Sequence, residues 1–196
     1  MQRFFATTKA IPQPGHRARP SGAWVAGALL FLAAAVTALP GHAQDAPAAA
    51  PPVTAQLVTA DGTAMGMVSV ADTASGMALV TLNLSGVPEG VHGAHIHETG
   101  TCDGPDFKSA GGHLAGGRAH GVMDAQGPHQ GDLPNVHAPA TGTVMVEYFV
   151  PNLPADVLTD ADGAAFILHA GADDYAGQPA GNAGDRLACG VFAPAG

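Results

Sequence analysis

The chain has 196 residues, of which only 12% are charged, and its formal net charge is −9. Seven Lys and Arg stand against sixteen Asp and Glu. Nucleic acid is therefore excluded as an expected partner, because phosphate binding depends on clustered basic residues.

Residues 1–43 have the pattern of a secretory signal peptide. Four basic residues precede an uncharged stretch at residues 22–39: Arg3, Lys9, Arg17 and Arg19. Gly41-His42-Ala43 then offers a cleavage site of small residues. The alternative is an uncleaved membrane anchor, since the uncharged stretch reaches the length at which spanning begins. The alanine content and the cleavage site favour removal, which predicts a periplasmic protein.

The mature chain is predicted to be one domain with a short tether. Residues 44–53 are rich in proline and alanine, which is typical of a flexible or extended linker. Residues 54–196 have the length of a single domain with a full core. Four of the seven basic residues lie in the leader, whereas all sixteen acidic residues follow it, so cleavage leaves a formal charge of −13 and no predicted membrane span.

Short alternating or β-branched runs in the mature chain predict seven strands, at residues 54–59, 65–71, 77–84, 91–98, 141–149, 164–170 and 186–192. An eighth could lie within residues 151–159. Turn signals such as Asp61-Gly62 separate the runs, and no ten-residue stretch has helical periodicity. The pattern predicts an all-β fold, an eight-stranded antiparallel Greek-key barrel or sandwich of immunoglobulin-like architecture.

Two long segments, residues 99–140 and 171–185, fit no strand, and loops of this length are usually functional or disordered. The first carries three histidines and a carboxylate within twenty residues: His113, His120, His129 and Asp132. A closed set of three nitrogens and one oxygen suits tetrahedral zinc in a structural site. The alternative is unrelated surface histidines.

His95 and His97 stand two apart in the strand-like stretch GVHGAHIHETGTC, so both imidazoles point to one face. Taken alone, the pair fits a polar solvent face and a metal site equally well. With His169, at the end of the run AAFILHA, there are three imidazoles from two strands, and a fourth would complete a site that suits Cu(II). If His113 were that fourth ligand and also bound zinc, its ring would bridge two metals. The spacing alone does not show such a bridge.

Cys102 and Cys189 are the only cysteines. In an exported protein a disulfide is the favoured interpretation, because that compartment is oxidising. The alternative is two free thiols that act as metal ligands or redox partners.

Five motifs resemble one family in their order along the chain: GVHGAHIHETG, FKSAGGH, GPHQGDLPNV, LHAGADD and GNAGDRLACGV. The mature domain from about residue 54 is similar to the Cu/Zn superoxide dismutases of the exported bacterial branch. The resemblance implies an enzyme that converts superoxide to dioxygen and hydrogen peroxide. It implies one redox-cycling copper per subunit, bridged through a histidine to one structural zinc, and a role in antioxidant defence of the bacterial envelope. Monomer and homodimer both stay open.

Position by position, the resemblance implies four copper ligands: His95, His97, His113 and His169. It implies a zinc set that shares one of them: His113, His120, His129 and Asp132. Asp173 matches a carboxylate that accepts N–H bonds from one ligand of each metal, here His95 and His120. His92 matches a histidine beneath the copper site.

The resemblance also implies that Arg186 lies beside the copper and docks the anion, and that His113 takes and returns a proton, so these two residues are the expected catalytic ones. Cys102 and Cys189 match the family disulfide.

The chain departs from the family pattern in three places. His113 is followed by Leu114-Ala115-Gly116-Gly117, where the family usually has an Asn-Pro turn, which predicts a looser or resized zinc loop. The segment 171–185 carries three aspartates and no lysine, and Asp185 could pair with Arg186. The competing hypothesis is a non-catalytic periplasmic protein that binds copper or zinc on a dismutase-like barrel. Loss of a copper ligand would favour it, and here every expected ligand is present.

Overall fold

The computed structural model describes residues 50–194, so the predicted signal peptide and most of the predicted tether lie outside the described residues. Eight antiparallel strands form one sheet: β1 (Val53–Thr59), β2 (Ala64–Asp72), β3 (Met77–Leu84), β4 (Gly90–His97), β5 (Asp132–Ala138), β6 (Val144–Pro151), β7 (Ala165–His169) and β8 (Arg186–Pro194). Two short 3-10 helices lie at Lys108–Ala110 and Ala155–Leu158. The predicted eight-stranded antiparallel all-β fold is confirmed. Among the described residues, no helix has the length and apolar character needed to span a bilayer.

The strand order, β5-β4-β7-β8-β1-β2-β3-β6, makes the sheet a nearly closed barrel. The end strands β5 and β6 approach each other at a seam, where the Tyr148 hydroxyl donates to the carbonyl of Asn135 at 3.4 Å. Hairpins join β1, β2 and β3, and longer connections cross the barrel, as a Greek key requires. The order places β4 directly between β5 and β7.

The core follows from the alternation of side chains along each strand. In β3, Ala78, Val80, Leu82 and Leu84 are buried, while the residues between them are partly or fully exposed. The inward residues of all eight strands belong to one apolar cluster. Burial of this interior is the main stabilising contribution to the barrel.

The eighth strand is not where the sequence placed it. Residues 151–159 contain a 3-10 helix, with Leu158 buried in the core, instead of a strand. The missing strand is β5, inside the segment 99–140 that was expected to be loop. Pro134 lowers the strand signal of DLPNVHA, but an edge strand tolerates proline. A register irregularity opposite, between His92 and Ala94 of β4, further breaks the simple alternation.

Strand β4 is buried on both faces. Ala94 and Ile96 lie in the barrel core, while His95 and His97 point outward and are nevertheless buried. Two loops cover this outer face: the first loop, residues 98–131, and the second loop, residues 170–185.

A small apolar cluster lies beneath the start of the first loop: Phe107, Ala110, Ala165, Ile167 and Cys189, with Cys102 packed against it. The predicted disulfide between Cys102 and Cys189 is confirmed, with the two Cα atoms 5.7 Å apart. It ties the first loop to β8.

Candidate metal centre

Four histidines converge on the outer face of the barrel. His95 and His97 come from β4, His169 ends β7, and His113 comes from the first loop. Pairing of β4 with β7 sets His95 opposite Ile167, so His169 lies diagonally beside it; the ring centroids of His95 and His169 are 4.8 Å apart. Each residue offers one ring nitrogen, and these atoms lie within 4.8 Å of one another. We call these four residues the strand set.

The first loop continues the pairing of β4 and so places His113. Leu114 N–H donates to the Ile96 carbonyl at 2.8 Å, and Glu98 N–H donates to the Gly112 carbonyl at 2.9 Å. The ring of His113 is thereby brought against His95 and His97, at centroid distances of 4.1 and 4.9 Å. Backbone pairing, rather than a local turn, fixes this side chain.

A second group, the loop set, consists of three histidines of the first loop and the first residue of β5: His113, His120, His129 and Asp132. Asp132 Oδ1 lies 2.9 Å from His113 Nδ1, 3.1 Å from His120 Nδ1 and 3.3 Å from His129 Nδ1. Its other oxygen accepts the backbone N–H groups of Gly121 and His129. Tetrahedral ligands about 2.0 Å from a zinc ion would be about 3.3 Å from one another, which these spacings approach.

Five buried ring nitrogens have no hydrogen-bond partner within the described residues: His95 Nδ1, His97 Nε2, His113 Nε2, His129 Nδ1 and His169 Nε2. A buried polar atom left without a partner costs about 1–3 kcal/mol, so five in one place is an unusual concentration. Four of the five belong to the strand set. Lone pairs of this kind are metal ligands, and an all-imidazole set suits copper. The residues present therefore fit both a copper and a zinc ion.

Burial keeps three histidines of the strand set neutral. Removal from water lowers the pKa of His95 to about 4, that of His169 to about 3 and that of His97 to about 2. Neutral imidazoles have a free lone pair at physiological pH, which a cationic metal requires. The pKa of the Asp132 carboxyl is also lowered: burial raises it, but the hydrogen bond from His113 and the backbone N–H of Gly121 outweigh that effect.

The carboxylate of Asp173, in the second loop, connects the two sets. Its Oδ2 lies 2.8 Å from His95 Nε2, and its Oδ1 lies 3.0 Å from His120 Nε2. Burial raises the pKa of Asp173, but the hydrogen bonds from His95 and Tyr175 lower it by more. The pKa of the carboxyl is therefore below its usual value, and the group stays ionised. His95 and His120 each donate the Nε2–H to Asp173. Nδ1 of His95 is therefore free to face the strand set, and Nδ1 of His120 is free to face the loop set.

Several residues that position this carboxylate were not predicted. Asn135 Oδ1 accepts the backbone N–H of Asp173, and Asn135 Nδ2 donates to its carbonyl, both at 2.8 Å. The Tyr175 hydroxyl accepts the N–H of Asn135 at 2.8 Å. Gly181, at φ +65°, lies so close that a Cβ there would clash with Asp173 and with His120 Nε2. Asn135 stands within the motif GPHQGDLPNV, but nothing in one sequence indicates which backbone it contacts.

His92 and Arg186 flank the strand set. His92 is buried, with ring nitrogens 2.8 Å from the carbonyl of His169 and 2.9 Å from that of Pro88. The guanidinium of Arg186 donates to the carbonyls of Phe107 and Gly111, at 2.6 and 2.7 Å. The sequence left open a pair between Asp185 and Arg186, but in the described part of the chain no ion pair joins them, and the guanidinium bonds to the two carbonyls instead.

Arg186 lines an open surface pocket of about 530 Å³. Lys108 and two aspartates line the same pocket, which also includes Pro105 and Gly184. Lys108 extends into solvent and pairs with Asp106 at 2.7 Å. Partial burial lowers the pKa of Arg186, but the group remains cationic at neutral pH.

The turn after His113, where the sequence departs from the family pattern, is held by other contacts. Leu114 packs against the core, and Gly116 and Gly117 have positive φ angles of 58° and 74°. The guanidinium of Arg118 then donates to the carbonyls of residues 127–128, directly before His129. Whether this arrangement lowers zinc affinity stays a prediction.

A family model described as copper/zinc superoxide dismutase (SODC) matches residues 64–192. The chain belongs to the copper/zinc superoxide dismutase family. A Cu-Zn superoxide dismutase of Aquifex aeolicus is 38% identical over 86% of this chain and 95% of its own length. One from Caulobacter vibrioides is 41% identical over 71% of this chain and 84% of its own length.

Solved structures agree with this membership. A superoxide dismutase-like protein from Bacillus subtilis matches with a TM-score of 0.65 and 36% identity, covering 70% of this chain and 96% of its own. The Cu/Zn superoxide dismutase of Brucella abortus matches at 0.59 and 28% identity, covering 71% and 98%. The chain is thus an oxidoreductase of the superoxide dismutase type, from a family whose substrate is superoxide and whose metals are copper and zinc.

Proposed function

We propose that this superoxide dismutase binds copper through the strand set and zinc through the loop set, with the ring of His113 shared between the two ions. The observation that supports the sharing is the orientation of that ring: Nδ1 lies 2.9 Å from Asp132 Oδ1, while Nε2, on the strand-set side, has no hydrogen-bond partner among the described residues. Once it has lost its N–H proton, a ring oriented in this way would present one lone pair to each set. The proposed ligands are His95, His97, His113 and His169 for copper, and His113, His120, His129 and Asp132 for zinc.

When bound, copper supplies the one-electron redox chemistry that turns one superoxide into dioxygen and a second into hydrogen peroxide, while zinc supplies fixed positive charge. The chain's own contribution begins with orientation. Asp173 holds His95 Nε2, and the Gly111 carbonyl lies 3.0 Å from His97 Nδ1, so each ring presents its remaining nitrogen to the strand set.

Proton delivery is assigned to His113. Hydrogen peroxide contains two protons that superoxide lacks, so the site needs a group that holds a proton next to the substrate. His113 Nε2 would hold that proton whenever it does not bind copper, because Nδ1 is held on the side of Asp132 and only Nε2 faces the strand set. Burial of the ring excludes bulk water from this nitrogen.

Binding of the anionic substrate is assigned to Arg186. The two carbonyl contacts fix the guanidinium beside the pocket that Arg186 lines, without neutralising it. A guanidinium keeps its charge at physiological pH and can donate to a bound oxygen anion through the N–H groups that the carbonyls leave free. Arg186 thus provides attraction and docking together.

We also propose that the protein acts in the bacterial envelope. The basic leader with its uncharged stretch and small-residue cleavage site supports export. The disulfide Cys102–Cys189 supports the same compartment, since disulfides persist where the environment is oxidising. Expression of the full chain in a Gram-negative host, followed by periplasmic extraction, tests this: activity should appear in the periplasmic fraction with residues 1–43 removed.

The metal assignment is tested by metal analysis of the purified mature domain together with an assay of superoxide consumption. The wild type should bind one copper and one zinc and consume superoxide. His169→Ala should lose copper and activity while keeping zinc. His137→Ala is the control, because His137 is exposed on β5 and belongs to neither set.

The same experiment discriminates the alternative function. A wild-type protein that binds both metals yet consumes no superoxide would be a metal-binding protein on a dismutase-like barrel.

A further inference from the structure

The side-chain amide of Gln178 clamps the backbone of His120. Gln178 Oε1 accepts the His120 N–H at 3.0 Å, and Gln178 Nε2 donates to the His120 carbonyl at 2.9 Å. The two residues are 58 positions apart and belong to different loops, Gln178 to the second and His120 to the first. One amide therefore satisfies both polar groups of a single residue in the loop set.

The clamp belongs to a wider contact between the two loops. Met123 N–H donates to the Tyr175 carbonyl at 3.1 Å, and Gly121 approaches that carbonyl so closely that a Cβ would clash with it. Asp173 binds the His120 ring directly. The second loop thus holds both the backbone and the side chain of His120.

Gln178 itself is exposed and fills no part of the core. Its removal opens no cavity in the barrel core; what the protein loses is the hydrogen-bond partner of the His120 N–H and carbonyl. The two hydrogen bonds fix the position of the His120 backbone. They thereby also fix the position of His120 Nδ1, which lies 3.1 Å from Asp132 Oδ1. Ligand atoms must be held within a few tenths of an ångström for tight metal binding.

We propose that Gln178 is a positioning residue for zinc: its amide fixes His120 in the loop set and so strengthens zinc binding. The inference rests on the proposed zinc set. Loss of an outer contact to a metal ligand typically weakens metal binding about 10–100-fold. Gln178→Ala should therefore weaken Zn²⁺ binding about tenfold, at the lower end of that range because the clamp acts on the backbone of His120 rather than on its ring.

The test measures Zn²⁺ affinity of the metal-free mature domain by competition with a chromophoric chelator. Co²⁺ bound in place of zinc reports the ligand geometry through its visible absorption bands, which should shift in Gln178→Ala. Gln178→Glu keeps the acceptor for the His120 N–H but sets a carboxylate oxygen against the His120 carbonyl, so it should weaken Zn²⁺ at least as much. Gln126→Ala is the matched control, an exposed glutamine of the first loop, and should stay within about twofold of wild type.

Asp132→Ala, measured in parallel, separates the two levels of inference. If Asp132→Ala loses zinc while Gln178→Ala stays within about twofold of Gln126→Ala, the clamp is overturned and the zinc set stands. If Asp132→Ala keeps wild-type zinc affinity, the zinc set is overturned and the clamp with it. An unchanged cobalt spectrum in Gln178→Ala, with a lower urea midpoint of the metal-free protein, would assign Gln178 a purely structural role and overturn the proposal.

Discussion

The strand set and the loop set share a histidine but are held by different physics. Three of the four strand-set residues lie on β4 and β7, so the register of two paired strands fixes them and the core behind those strands supports them. In the loop set only Asp132 lies on a strand. Backbone pairing with β4 places His113, whereas His120 and His129 depend on side chains that bond to the backbone, such as Gln178 and Arg118. Hydrophobic packing organises one set, and polar contacts between loops organise the other.

Acid is expected to produce the largest effect, and on the strand set. In the unfolded chain His95, His97 and His169 bind protons below pH 6.5, whereas in the folded protein burial lowers their pKa values to about 4, 2 and 3. The unfolded state then binds more protons, so stability is fully present above pH 6.5 and falls as the pH falls. Each of the three histidines lowers the free energy of unfolding by up to about 1.4 kcal/mol for every unit by which the pH falls.

Urea unfolding of the metal-free domain at pH 7 and pH 5 measures this loss, which should be on the order of 5 kcal/mol for the three rings together. His169→Asn should remove about one third of the pH dependence. A metal-free protein equally stable at both pH values would show that these rings are not buried neutral.

The second largest effect is expected at Arg186, which pairs with His169 of the strand set in the sheet. Arg186→Glu should lower kcat/KM for superoxide by about tenfold or more, in line with electrostatic steering, for which superoxide dismutases are a standard example. The matched control is Lys108→Glu, which makes the same charge change in the same pocket on a side chain that extends into solvent and pairs with Asp106. Near-native turnover in Arg186→Glu, or an equal loss in both variants, would contradict a docking role for Arg186.

The third effect concerns the link between the sets. Gly181 and Gly184 both have positive φ, at +65° and +78°, but only at Gly181 would a Cβ meet Asp173 and His120. Gly184→Ala should cost the left-handed backbone penalty, about 1–2 kcal/mol. Gly181→Ala should cost about 1–3 kcal/mol more, because the clash adds to the strain. Urea unfolding of the two variants measures the difference, and equal stabilities would show that the Asp173–His120 contact yields easily.

The same division decides how much could be predicted from the sequence. Period-two spacing gives His95 and His97 a common face, and the run that ends at His169 predicts the second strand of the site, so three of the four strand-set residues follow from periodicity. The sharing of His113 does not, because a bridge depends on how a loop folds back on β4. Strand β5 was missed because Pro134 interrupts its pattern. Contacts such as Asn135 with Asp173 join residues 38 positions apart through loops, and no local rule encodes them.

Salt should have the smallest effect. Residues 44–196 carry three basic and sixteen acidic side chains, yet charges more than about 8 Å from the site are screened at physiological ionic strength. The rate of superoxide consumption should therefore change by less than about twofold, or rise, as salt is added. A steep fall would reveal a positive field around the pocket that the described residues do not provide.

The most direct test of the shared ring is to measure copper and zinc affinity in three variants of the mature domain. His97→Ala removes a ligand that belongs only to the strand set, and His129→Ala one that belongs only to the loop set. We predict that the first weakens copper alone, the second zinc alone, and His113→Ala both. A His113→Ala protein that keeps wild-type affinity for either metal would contradict the account.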